Sequence, residues 1–95
     1  MAQTVNLAPG MTVATSTDIV VGSGLEAVIG IYTESGTPLS DAGQNFFAAV
    51  VQVTPGEPSR IDKLDAATPA IKVSGPNTFR VIRGAALVNV GVFSE

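Results

Sequence analysis

A chain of 95 residues, 45% of them hydrophobic, is long enough for one domain with a single core. Its net charge of −3, with five basic residues and no basic stripe, argues against a nucleic-acid-binding face; the lack of cysteine excludes disulfides and thiolate metal sites. At 14% charged residues, the chain has either a surface that an assembly covers or a neutral coat of Ser, Thr and Gly.

The first ten residues, MAQTVNLAPG, contain no basic region and no apolar run of the secretory kind. No stretch nears the ~20 apolar residues of a membrane helix, so the chain is expected to be made and used without crossing a membrane by the secretory route. Gln3 to Leu7 alternates, with Val5 and Leu7 on one face, and predicts a short edge strand that Ala8-Pro9-Gly10 ends by turn chemistry. Residues 1–10 could equally serve as an extended arm adding a strand to a partner.

Met11 to Ser16 predicts a weak second strand and Asp18 to Val21 a third, ended by the turn Gly22-Ser23-Gly24. Leu25 to Thr33 is a strong strand pattern, with Leu25, Ala27, Ile29 and Ile31 toward the core and Glu26, Val28, Gly30 and Tyr32 opposite. Gly30 in mid-strand predicts a bulge or a close backbone approach. Residues 34–45, ESGTPLSDAGQN, form the longest polar connection and predict a surface loop. Phe46 to Val53 is apolar on both faces, as in a central strand. Because Phe46 and Phe47 are adjacent, one ring must leave the main core, to be covered by the 34–45 loop or by another subunit.

Thr54 to Pro58 predicts a turn. Ser59 to Asp65 fits either one helical turn, through Ile61 and Leu64 with Ser59 as cap, or a ragged strand. Ala70 to Val73 predicts a short strand, and Gly75-Pro76-Asn77 a turn. Thr78 to Arg83 and Val88 to Phe93 then alternate with period two across a short small-residue link, which predicts a C-terminal β-hairpin. Arg80 and Arg83 fall on opposite faces, Arg83 sharing that of Phe79 and Val81 at its wet end, where a salt bridge or an edge charge is expected. Together these segments predict a single all-β domain over 1–95, a small antiparallel sandwich or barrel of about eight short strands.

No catalytic constellation emerges. The chain has neither histidine nor cysteine, so its serines lack the usual base, and the eight carboxylates are scattered along it. Asp62 and Asp65 lack the repeated oxygen ligands of a calcium loop, and Gly22-Ser23-Gly24 lacks the spacing and the lysine of a phosphate loop. No enzyme, cofactor, metal or nucleic-acid site is expected.

Gly75-Pro76-Asn77-Thr78-Phe79-Arg80-Val81-Ile82-Arg83, followed by Val88-Asn89-Val90-Gly91-Val92-Phe93 near the C-terminus, resembles small structural proteins of tailed bacteriophages. Capsid decoration (cement) proteins are the nearest in type: β-rich, bound to the outside of the head lattice, often as trimers or dimers, and stabilising it. The resemblance implies a virion protein made in the host cytoplasm. Its partners would be the major capsid protein and copies of itself. Contacts would come from the N-terminal stretch (Val5, Leu7, Met11), the long loop (Leu39), Phe46, Arg80 and Phe93. A tail, neck or head-fibre base component is a second expectation. A carbohydrate-binding sandwich is a third, and it is poorly equipped with aromatics, having no tryptophan and the single tyrosine Tyr32.

Overall fold

The computed structural model describes residues 3–53 and 59–95. Its strands are β1 (Thr4–Gly10), β2 (Ala14–Thr15), β3 (Ile19–Val21), β4 (Glu26–Thr33), β5 (Ala48–Gln52), β6 (Ser59–Leu64), β7 (Ala70–Ser74), β8 (Asn77–Arg83) and β9 (Val90–Ser94). A single 3-10 turn, Leu39–Ala42, interrupts the long connection. The strands form two antiparallel sheets, ordered β1-β9-β4-β7 and β2-β8-β5-β6, with β3 also pairing β8. The expected all-β sandwich is therefore present. The turn expected over Thr54 to Pro58 lies outside the described residues.

Alternation builds the core. Ile29 and Ile31 of β4 with Val90 and Val92 of β9 face Val50 of β5 and Phe79 and Val81 of β8, and all are buried. The apolar rows of the two sheets meet, as the period-two pattern requires. β2 and β3 lie end to end along one side of β8, and Ser16 carries the ladder across the break between them. Its N–H donates to the Val81 carbonyl at 2.8 Å, and its Oγ accepts from the Val81 N–H at 2.9 Å.

The C-terminal hairpin does not form. β8 and β9 both exist where expected, but they belong to opposite sheets. The link between them bonds elsewhere: Gly84 N to Phe47 O at 3.2 Å, Ala86 N to Met11 O at 2.9 Å and Leu87 N to Ala42 O at 3.0 Å. Both strands carry fully buried valines, and these meet across the core instead of lying side by side. Alternation reveals a strand and its faces, not its partner.

Smaller departures have local causes. Pairing of β1 with β9 shifts register between Val5 and Leu7 and again before Gly10, so β1 runs through Ala8-Pro9 instead of stopping there. These bulges turn Asn6 inward and leave Val5 exposed, against the expected Val5/Leu7 face. From Thr4 onward the expected arm is an edge strand of the sheet. Leu25 precedes β4 and is exposed, and the second strand shrinks to two residues. Ser59–Leu64 is a strand, not a helical turn. At Gly75, where the peptide to Pro76 is cis, a Cβ would strike the carbonyl oxygens of Val21 and Gly22. Only glycine fits there.

Candidate interaction surface

Arg83 sits on the inward face of β8, as its parity with Phe79 and Val81 implies, but it is buried and not at a wet end. At 4% exposure it makes no salt bridge with a described residue. Its Nε donates to the Thr12 carbonyl at 2.9 Å, and its Nη1 donates to Ala8 at 3.0 Å and Val90 at 2.8 Å. The guanidinium thus ties β8 to β1, β9 and the link before β2. Gly10 leaves room for it, since a Cβ there would come 2.8 Å from Nη2. Buried charge is tolerated when its donors are used, and backbone oxygens take three of the five here.

Arg80, on the outward face, is paired with Asp18 beside β3. The hydrogen bond from Arg80 holds the Asp18 carboxyl below its ordinary value, and the same bond raises Arg80. The pair is half exposed, so it acts as a screened surface contact.

Most of the exposed large apolar side chains lie toward the two ends of β8, with Val5 on β1 and Ile61 on β6 standing apart. Near Arg83, the outward face carries Ile82 beside Ala49 and Thr15, its cross-strand neighbours. Phe47 follows where the Gly84 N–H reaches its carbonyl, and Val13, next to Ala14 of β2, is 67% exposed. Met11 accepts from the Ala86 N–H, one residue before Leu87, whose own N–H reaches Ala42, and Leu87 is 73% exposed. This first pole of Met11, Val13, Phe47, Ile82 and Leu87 is flanked by Lys63, which pairs with Ala49 on the same outward face. At the other end, Val20 and Leu25 line a shallow cavity of about 200 Å³ with Thr4, Glu26 and Glu95.

The outer face of the four-stranded sheet is different in character. Phe93 packs over Gly30 and Tyr32 over Gly91, the rings meeting edge to face with centroids 6.2 Å apart. What approaches Gly30 is thus a side-chain ring, not a backbone. A groove of about 430 Å³ beside them is lined by Glu26, Ala27, Val28, Lys72 and Glu95.

The residues expected to meet a partner are therefore scattered. Val5 and Met11 are exposed, on different parts of the surface. Leu7 and Leu39 are half-buried against the core. Phe46 is 8% exposed and belongs to the core, while Phe47, at 40%, is the ring that turns outward. Phe93 is half-buried on its glycine, and Arg80 is held by Asp18. Val13, Ile82 and Leu87 were not anticipated. Ile82 follows from parity with buried Val81, whereas Val13 and Leu87 lie in links that carry no alternation. Among the described residues no group of three or more Asp or Glu side chains is placed to hold a metal ion, and no helix is long and apolar enough to cross a membrane. The chain matches no protein-family model, no curated protein and no solved structure.

Proposed function

We propose that this protein is a non-enzymatic virion structural protein, a capsid decoration protein that binds a bacteriophage head lattice and stabilises it. The observation carrying the reading is the exposed apolar pole of Met11, Val13, Phe47, Ile82 and Leu87 on a chain with few charges. An apolar patch left in water disfavours the free state and favours burial against another surface. The likeness of residues 75–83 and 88–93 to phage structural proteins supplies the kind of surface, a head lattice built of the major capsid protein. Each copy would add a modest interface, and many copies would raise shell stability by mass action and avidity.

The test is the mass of the purified protein by light scattering, followed by sedimentation with purified phage heads and, separately, with tails. A dimer or trimer that co-sediments with heads supports the proposal. Co-sedimentation with tails alone makes it a tail component, and binding to neither rejects both.

A further inference from the structure

We infer that a second copy of this chain pairs antiparallel with the free edge of β7, joining two four-stranded sheets into one of eight strands. The inference rests on the geometry and charge of this edge and is tested on the isolated protein, so it stands or falls apart from head binding.

The edges among the described strands differ in their fitness to pair. β1 carries two register shifts and Pro9. β2 and β3 are two and three residues long. β6 has a register shift opposite Val50/Val51 and bears the adjacent charges Asp62 and Lys63. All of these are devices that blunt an edge. β7 has none of them: it pairs with β4 in unbroken register from Glu26↔Ser74 to Gly30↔Ala70, and Lys72 is its single charge.

The backbone directions follow from two hydrogen bonds. Ile31 N donates to Pro69 O at 2.9 Å, and Gly75 N donates to Leu25 O at 3.0 Å. Residues 69 and 75 thus face β4, as do 71 and 73 by the alternation of an antiparallel ladder. Ala70, Lys72 and Ser74 consequently turn their N–H and C=O groups toward the open edge. Among the described residues, these backbone groups gain one bond, from Asn77 Nδ2 to Ser74 O at 3.3 Å. Ala70, Lys72 and Ser74 are all exposed.

Charge selects the register. A two-fold axis through Lys72 would set that lysine opposite its own copy, which is unfavourable. An axis through Val73, perpendicular to the sheet, sets Lys72 of each copy opposite Ser74 of the other. Ser74 is itself paired with Glu26, so each ammonium group reaches toward the neighbouring copy's Glu26. Glu26 and Glu95 line the groove beside this edge, giving the incoming lysine a carboxylate-rich bed. The arrangement makes about four main-chain hydrogen bonds and brings the outer faces of both copies to the same side.

Sedimentation equilibrium of the wild type and two sets of variants tests this. Lys72→Pro deletes an outward N–H and leaves the β4 ladder untouched, so it should give a folded monomer at concentrations where the wild type dimerises. Glu26→Lys and Lys72→Glu should each weaken dimerisation about tenfold, and the double swap should restore it. The double swap also guards against a proline variant that fails to fold. A wild type still monomeric at about 1 mM, or a dimer that folded Lys72→Pro leaves intact, would overturn the inference.

Discussion

The ring of Phe93 covers Gly30, its direct cross-strand partner, and in the next row Tyr32 covers Gly91 in the reverse sense. Each strand of the β4–β9 pair contributes one glycine and one aromatic. A Cβ at Gly91 would lie 2.7 Å from the Tyr32 ring, so the notch exists only because no side chain fills it. Gly91→Ala should therefore push the ring aside and destabilise the protein by about 1–3 kcal/mol. The corresponding fall in Tm is about 4–8 °C per kcal/mol for a domain of this size. Thermal unfolding checks this, and an unchanged Tm would mean that the rings are not seated on the glycines.

Arg83 holds three backbone carbonyls from separate segments without a described carboxylate. Arg83→Met keeps much of the volume but removes all three bonds, the one to Val90 being buried, at about 2–4 kcal/mol. Arg83→Lys, which cannot present a planar fork, should fall between methionine and wild type. Urea titration at neutral pH measures both, and a loss under about 0.5 kcal/mol for Arg83→Met would remove the clasp from the account.

Asp18 gives the fold a pH dependence of known sign. Its carboxyl lies below the ordinary 3.8, chiefly through the hydrogen bond from Arg80. The contribution is therefore present above that pH and is lost as pH falls through the lower folded value. Asp18→Asn should have a lower Tm than wild type at pH 7, with the gap closing on acidification below 3.8. A gap that stays constant or widens in acid contradicts the pairing.

The adjacent phenylalanines give a contrast inside one dipeptide. Phe46→Ala opens the core and should cost about 3–5 kcal/mol. Phe47→Ala removes an outward ring and should change stability by about 1 kcal/mol or less. Parallel chemical denaturation of the two variants decides it, and equal losses would place both rings in the core.

How far the chain could be read in advance follows from the same residues. Valine and isoleucine alternation marked β4, β8 and β9 and their inward faces, because burial on one face leaves a period of two. It could not say that β8 and β9 sit in opposite sheets, since a short small-residue link suits a hairpin and a crossover alike. The buried Phe46 and exposed Phe47 depend on which side of Ala48 faces inward, a matter of register against β6 and β8. Arg83 had the right face but the wrong environment, because backbone carbonyls that accept a guanidinium leave no mark in side-chain patterning. Most of the apolar pole was missed for a related reason. Val13 and Leu87 lie in links, where exposure is set by tertiary placement.

The central claim concerns that pole, and binding to phage heads addresses it most directly. Wild-type protein and a Phe47→Ser/Ile82→Thr variant, both confirmed as folded, would be titrated onto purified heads lacking the protein, and bound protein would be measured after sedimentation. The account predicts saturable binding by the wild type at a fixed number of copies per head, weakened at least about tenfold in the variant. Wild-type protein that fails to bind, or a variant that binds equally well, would contradict it.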